Sequence, residues 1–207
     1  MPRLEGKVAL ISGAAQGMGA SHARAIVRHG GSVVIGDVDD ERGKVFADSL
    51  GPRARFVHLD VRNSADWDDA VAMAVREFGC LNVLVNNAGV LRHSGVEQCS
   101  DEEWDLVLGI NLTGAFKGIR AAADELKNSS PSSVINISST AGLKGFAGFT
   151  AYGSSKWGLR PHKKRRYRAG AARRARELNT PGQHQDPNDR WPVHGLQPCT
   201  AGPGRGS

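Results

Sequence analysis

The sequence contains few cysteines and no long apolar run. Its three cysteines, Cys80, Cys99 and Cys199, lie far apart, and none belongs to a CxxC pair or a Cys/His cluster. This spacing argues against a disulfide framework and against a zinc site, and it fits a reducing compartment. No segment approaches the roughly 18 apolar residues of a membrane span, and the first residues lack the apolar core of a signal peptide. We therefore expect a cytoplasmic protein with no membrane partner and no bound metal.

Proline and net charge are scarce up to residue 160 and abundant after it. Only three of the nine prolines precede that position, and residues 1–160 carry a net charge of −1, whereas residues 161–207 carry +7. The basic segment has no apolar periodicity, so it offers no face to bury. We expect one globular domain in residues 1–160, incomplete by itself, followed by a basic, proline-rich and disordered tail at 161–207.

Short apolar runs alternate with longer amphipathic segments through the first 160 residues. Runs of Val, Ile, Leu and Phe without polar alternation are typical of strands buried on both faces of a parallel sheet. The alternation with helical segments predicts an α/β fold with a doubly wound parallel sheet of the Rossmann type. The predicted strands are 7–12, 32–36, 55–59, 81–85 and 133–138, and the predicted helices are 18–29, 40–50, 64–78 and 102–127.

A glycine-rich turn, SGAAQGMG at residues 12–19, follows the first predicted strand. Glycines permit a tight turn and a close approach to the next helix, whose free N–H groups can receive a pyrophosphate. Asp37 ends the second strand, where a carboxylate can bind the ribose hydroxyls of a dinucleotide. With no Arg or Lys at residues 14–18, this favours NAD over NADP. A purely structural turn and a solvated acidic turn are the alternatives.

Further polar motifs follow the later strands. Asp60 and Val61 come after the third strand, the sequence NNAG occupies residues 86–89 after the fourth, and Ile-Ser-Ser closes the fifth at residues 137–139. Open α/β sheets bind ligands at the carboxyl ends of their strands. The motifs therefore indicate one ligand-binding edge.

Tyr152 and Lys156 are four residues apart, which places them on the same face of a helix. A nearby ammonium favours the phenolate form of a tyrosine, which can then exchange a proton with an alcohol or ketone. An isolated YxxxK pattern is common and is usually part of an ordinary surface.

The order of these motifs resembles the short-chain dehydrogenase/reductase family: SGxxxGxG, DV, NNAG, an asparagine in INLTG, a serine 13 residues before the tyrosine, and YxxxK. The resemblance implies hydride transfer between a secondary alcohol or ketone and nicotinamide, with NAD as cofactor. It implies that Tyr152 is the general acid/base, Ser139 orients the substrate oxygen, Lys156 binds the nicotinamide ribose and Asn111 holds a water in the proton relay. The cofactor-binding residues it implies are Gly13, Gln16, Gly17, Met18, Gly19, Asp37, Asp60, Val61, Asn87, Ala88, Gly89, Tyr152 and Lys156.

Within the family, the segments GMGASH, GDVDDE, HLDV, NLTG and KWGLR resemble the bacterial 3-alpha(or 20-beta)-hydroxysteroid dehydrogenases. This resemblance implies a hydroxysteroid substrate. It also implies that the intact homologue is a homo-oligomer, expected to be a tetramer.

The family features expected after Lys156 do not occur in residues 161–207. Reading the possible codons one base later permits Asn-Ser-x-His-Pro-Gly across residues 177–183, as the family would have there. We therefore expect a shifted reading frame from about residue 161, which would truncate the fold soon after the tyrosine helix begins. The nucleotide sequence around codon 160 tests this.

Two other functions are consistent with the residues. The chain could be a catalytically inactive NAD-binding remnant of the frameshifted enzyme. It could also bind nucleic acid through the basic cluster at 163–176, since such clusters neutralise phosphates. We expect no nucleic-acid partner, because the shifted frame already explains the cluster.

Overall fold

The computed structural model describes residues 3–129 and 131–159. They form a five-stranded parallel sheet in the order β3-β2-β1-β4-β5. This confirms the predicted fold class. The expected tail at 161–207, with its frameshift and its basic cluster, lies outside the described residues. The strands are β1 (Val8–Ser12), β2 (Ser32–Asp37), β3 (Ala54–His58), β4 (Val83–Asn86) and β5 (Ser133–Asn136).

Side-chain caps set the start of several helices. The side chains of Asp39, Asn63 and Ser100 accept hydrogen bonds from backbone N–H groups in the first turns of three helices. Gly79, with φ of 83°, ends the third helix in the left-handed conformation that glycine adopts readily. The helices are α1 (Gly17–Arg28), α2 (Asp40–Ser49), α3 (Ser64–Phe78), α4 (Asp101–Leu108), α5 (Gly114–Ala121), α6 (Ala123–Asn128) and α7 (Thr150–Gly158).

The sheet is buried on both faces. Along β1, Val8 and Leu10 belong to one apolar cluster, and Ala9 and Ile11 belong to the other. Successive side chains of a strand point to opposite faces, so a strand between two helical layers is apolar throughout. The first cluster includes Trp67 of α3, which is fully buried.

The strand order places a switch point at β1. Its neighbours are β2 on one side and β4 on the other, and all pairings are parallel. The connections after β1 and after β4 therefore leave the sheet at the same edge and diverge to opposite faces. Ligands of open α/β sheets bind in the crevice at such a point.

The prediction of one continuous helix at 102–127 was wrong. The structure has α4, then a π turn at Gly109–Thr113, then α5, and a second break at Ala122 before α6. In the π turn, the side chain of Asn111 binds both backbone polar groups of Val90 on the neighbouring loop. The spacing of apolar residues gives no sign of a π turn, because the amphipathic pattern continues on both sides of it.

The described helices are short or polar compared with a membrane span. Within residues 3–129 and 131–159, none is long and apolar enough to cross a bilayer.

Candidate functional site

The two loops at the switch point approach each other closely. Gly13, after β1, has φ of 64°, and a Cβ added there would lie 2.7 Å from the Cα of Ala88 in the loop after β4. At Gly19, in the first turn of α1, a Cβ would lie 2.6 Å from Nδ2 of Asn87. Only glycine fits at these two positions without displacing backbone.

Hydrogen bonds tie the same two loops together. Asn87 donates through Nδ2 to the carbonyl oxygens of Ser12, at 3.0 Å, and Gly13, at 2.7 Å. The hydroxyl oxygen of Ser12 accepts from the backbone N–H groups of Asn87 and Ala88, both at 3.2 Å. The side chain of Asn87 is thus held against the glycine-rich turn.

Asp37 lies at the end of β2, beside the glycine-rich turn. Its Oδ2 accepts from the backbone N–H of Ala15 at 2.9 Å, and its Oδ1 accepts from that of Asp39 at 3.1 Å. Each carboxylate oxygen has two lone pairs, so each has one more acceptor position. The carboxylate is therefore held in place and can still accept from a ligand.

A cavity of about 500 Å³ lies at this edge of the sheet. Nine of the residues predicted to bind the cofactor line it: Gly13, Gln16, Met18, Asp37, Asp60, Val61, Asn87, Ala88 and Gly89. Gly17 borders a separate groove between α1 and α2. The cavity lining also contains six residues that the sequence reasoning missed: Val38, Leu59, Arg62, Val90, Leu106 and Ile110.

A sequence signal existed for some of the missed residues. Val38, Leu59 and Arg62 each directly follow or precede a predicted site residue. Val38 is also 60% exposed within the cavity lining. Leu106 and Ile110 lie far along the chain, and only the packing of α4 and the π turn brings them to the cavity.

The predicted catalytic pair lies on α7. The Nζ of Lys156 is 5.8 Å from the ring centre of Tyr152 and donates to the backbone oxygen of Ile137 at 2.9 Å. Lys156 is only 5% exposed. Burial lowers the pKa of its ammonium, because the charged form loses hydration. A buried lysine with one backbone acceptor retains two N–H donors for another group.

Gly89 links this pair to the cavity. A Cβ added at Gly89 would lie 3.3 Å from Oδ1 of Asn111 and 3.4 Å from Nζ of Lys156. Because Gly89 also lines the cavity, the lysine ammonium lies next to the cavity wall. The absence of a side chain there leaves space between the cavity and the lysine.

Asn111 is 1% exposed, and its side-chain amide hydrogens are both used. Oδ1 accepts from the N–H of Val90 at 2.8 Å, and Nδ2 donates to the oxygen of Val90 at 2.9 Å and to Oγ of Ser155 at 3.0 Å. Ser155 in turn donates to the backbone oxygen of Tyr152 at 2.7 Å. The side chain thus connects the loop after β4 with the tyrosine helix, and its role in a water relay stays a prediction.

Ser139 begins a 3-10 turn at Thr140–Gly142, and its Oγ accepts from the N–H of Ala141 at 3.1 Å. That turn packs against α7, since a Cβ on Gly142 would lie 2.7 Å from the backbone oxygen of Lys156. Ser138, the neighbouring serine, donates to the same oxygen at 3.1 Å. The serine segment and the tyrosine helix are therefore in direct contact.

Potential metal ligands do not cluster within residues 3–129 and 131–159. No group of three or more His, Cys, Asp or Glu side chains there could hold a metal ion.

Fold and site together define a doubly wound α/β protein with its ligand cavity at the topological switch point. The chain matches the family model described as short chain dehydrogenase over residues 7–166. It belongs to the short-chain dehydrogenase family.

The chain is similar to curated proteins and to solved structures over most of its length. It is 51% identical over 158 residues to a 3-alpha-(or 20-beta)-hydroxysteroid dehydrogenase of Mycobacterium tuberculosis, covering 76% of this chain and 61% of the relative. It is 46% identical over 166 residues to a trans-4-hydroxycyclohexanecarboxylate dehydrogenase of Sinomonas cyclohexanicum, covering 76% and 64%. A crystal structure of a short chain dehydrogenase/reductase from Burkholderia phymatum in complex with NAD superposes with a TM-score of 0.75 at 30% identity, covering 78% and 59%. The chain thus spans less than two thirds of each of these proteins.

Proposed function

We propose that this chain is the cofactor-binding and catalytic part of an NAD-dependent oxidoreductase that transfers a hydride between a secondary alcohol or ketone and nicotinamide. The observation that supports it most is the buried ammonium of Lys156, one helical turn from Tyr152 and next to Gly89 in the wall of the cavity. A buried cation beside a tyrosine is an arrangement suited to proton transfer.

The cavity fits NAD. Gly13 lines the cavity, a Cβ added at Gly17 would meet nothing within 4 Å, and the N-terminus of α1 beside these glycines favours an anionic group. Asp37 has acceptor positions for ribose hydroxyls, and its charge disfavours a 2′-phosphate. The NAD complex of the Burkholderia phymatum protein supports the same cofactor. NAD would supply the hydride acceptor, held by Gly13, Gln16, Gly17, Met18, Gly19, Asp37, Asp60, Val61, Asn87, Ala88, Gly89, Tyr152 and Lys156. Its adenine would lie against Asp60 and Val61, as the family resemblance implies.

Tyr152 would move the proton. Its hydroxyl would accept the proton of the substrate alcohol in one direction and return it to the ketone in the other. The positive charge of Lys156 would favour the phenolate, and its remaining N–H donors would bind ribose hydroxyls. Ser139 would orient the substrate oxygen, and Asn111 would hold the relay water, for which the second lone pair of Oδ1 is available.

The substrate class is proposed from the two relatives. Their names denote a hydroxysteroid and a hydroxycyclohexane carboxylate, which are both hydroxyl compounds built on carbon rings. The higher identity is to the steroid enzyme, so we propose a hydroxysteroid.

The test is steady-state turnover with NAD over a panel of hydroxysteroids and cyclic alcohols, comparing the chain with Tyr152→Phe. The variant keeps the ring and loses the hydroxyl, so turnover should fall at least ~100-fold, as expected for loss of a general acid/base, while NAD affinity stays within about threefold because the removed group is one of many contacts. Measurable turnover that is equal in the two proteins would disprove the assigned role of the tyrosine.

A second function, an NAD-binding remnant without activity, has one observation in its favour. The chain spans 61% and 64% of the two relatives, so segments that they use have no counterpart in the match. This alternative predicts NAD binding by the 207-residue chain with no turnover on any panel member. Measurable turnover by the same chain would exclude it.

Exposed aromatic side chains and the free thiols bear on assembly and location. Trp104 of α4 and Phe116 of α5 are large apolar side chains that are 36% and 47% exposed, which suits a subunit contact and supports the homo-oligomer, a tetramer, of the intact homologue. Light scattering on a size-exclusion column would measure its mass. Cys80 and Cys99 are free thiols, which agrees with a cytoplasmic location that cell fractionation would test.

A further inference from the structure

Arg62 pairs with Asp60 at the edge of the cavity, and both residues line it. The Nη2 of Arg62 donates to Oδ2 of Asp60 at 2.7 Å, and its Nε reaches both carboxylate oxygens, at 3.0 and 3.1 Å. The backbone N–H of Arg62 adds a fourth contact, to Oδ1 at 2.9 Å. An ionised carboxylate has about four lone-pair sites, so Arg62 uses the acceptor capacity of Asp60 almost completely.

The carboxylate is held in its charged form by this partner. The guanidinium hydrogen bond lowers the pKa of Asp60 below its ordinary value. Asp60 therefore offers a ligand only acceptors, and those acceptors already have a donor. A purine amino group that approached Asp60 would have to share or displace an N–H of Arg62.

Arg62 is held on two further sides. Its backbone oxygen accepts from Nζ of Lys117, and its Cδ lies 3.9 Å from the position that a Cβ on Gly109 would take. Its stem thus lies over the start of the π turn, whose next residue, Ile110, lines the cavity. The guanidinium uses Nε and one hydrogen of Nη2 on Asp60, and its other three N–H groups have no acceptor in the part of the chain that the structure describes.

We propose that Arg62 lets the site accept a carbonyl oxygen at the 6-position of the purine ring as well as an amino group. This rests on the proposed function, in which the adenine of NAD lies against Asp60 and Val61. A carboxylate alone would select an amino group and repel a carbonyl, because two acceptors would face each other. The unused N–H groups of Arg62 supply a donor for that carbonyl.

A plain structural role for the ion pair makes a different prediction. Two side chains that are 54% and 27% exposed form a pair that contributes little to stability. If Arg62 only stabilised the turn after β3, its removal would weaken all dinucleotides alike, because all of them bind the same fold. The ratio of affinities for amino and carbonyl purines separates the two roles.

The experiment measures dissociation constants by calorimetry for NAD and nicotinamide hypoxanthine dinucleotide, which differ at the purine 6-position. It uses the full 207-residue chain, Arg62→Ala, Arg62→Gln and the control Arg76→Ala, whose guanidinium pairs with Glu77 on α3. We expect the two dinucleotides to bind the unaltered chain and Arg76→Ala within about threefold of each other, since each has a donor or acceptor partner.

In Arg62→Ala, the hypoxanthine compound should bind at least ~10-fold more weakly relative to NAD, as expected for losing a hydrogen bond from a charged donor. Arg62→Gln keeps an N–H donor and should retain most of the original ratio. An unchanged ratio in Arg62→Ala, or a tenfold preference for NAD in the unaltered chain, would overturn the inference. Failure of the unaltered chain to bind either dinucleotide would instead overturn the proposed function.

Discussion

Replacing Ser155 by alanine should destabilise the protein much more than replacing its neighbour Ser154. Ser155 is fully buried, and its hydroxyl accepts from Nδ2 of Asn111 at 3.0 Å and donates to the oxygen of Tyr152 at 2.7 Å. Alanine removes both bonds but leaves Cβ in place, so the loss is polar and not steric. Ser154 lies on the same helix and is exposed.

The magnitude follows from the groups left without a partner. The buried Nδ2–H of Asn111 loses its acceptor, which costs about 1–3 kcal/mol. The oxygen of Tyr152 loses one of two possible partners, at a smaller cost. Alanine has a higher helix propensity than serine, by up to about 0.5 kcal/mol, but this gain occurs in both variants and cancels in their difference. We expect Ser155→Ala to unfold with a free energy about 2 kcal/mol below that of Ser154→Ala.

Urea denaturation followed by circular dichroism measures that difference. Near-equal slopes of unfolding free energy against urea concentration would show that the two variants expose similar surface on unfolding and can be compared. If the free energies of unfolding of Ser155→Ala and Ser154→Ala agree within about 0.5 kcal/mol, the connection from Asn111 to the tyrosine helix contributes nothing and the reasoning is refuted.

Three further outcomes are expected. Gly13→Ala should lose at least about 2 kcal/mol of unfolding free energy and should also lose NAD binding, because its Cβ would lie 2.7 Å from the Cα of Ala88, whereas a Cβ at Gly145 would meet nothing within 4 Å and Gly145→Ala should change neither property. Equal effects of the two substitutions, in a thermal melt and in a titration with NAD, would contradict this. The hydrogen bond that Nδ1 of His58 donates to Oδ1 of Asp40 raises the pKa of His58 and lowers that of Asp40, so the small stability advantage over His58→Gln should be present below the unfolded histidine pKa, disappear as pH rises through the raised folded value, and also fade as pH drops through the lowered pKa of Asp40. An advantage independent of pH, in melts from acid to alkaline buffer, would disprove it. Asp37→Ser should improve NADP affinity relative to NAD by at least ~10-fold, because a like charge facing the 2′-phosphate is removed, and a ratio that stays constant in a binding titration would show that Asp37 does not select the cofactor.

Much of the site was predictable because its motifs directly follow strands. The segments at 12–19, 37, 60–61 and 86–89 each lie at a carboxyl strand end, and parallel pairing brings those ends to one edge whatever the details of packing. The strand bounds were less accurate. β4 begins at Val83 and not at residue 81, because the side chain of Asn82 accepts from the backbone N–H of Val8 at 2.9 Å.

The amino-acid sequence by itself determined the sheet-and-helix alternation, the order of the motifs, and the pairing of Tyr152 with Lys156, since all of these depend on local spacing. Only the tertiary structure decided the interruption of the long helix at Asn111, the use of both its amide hydrogens, the position of Gly89 beside Lys156, and the approach of Leu106 and Ile110 to the cavity. The physical reason is that these features depend on where non-neighbouring segments meet. The hydrogen bonds of Asn111 and the space left by the missing side chain of Gly89 both depend on contacts between distant segments. The spacing of apolar residues along the chain carries no information about such contacts.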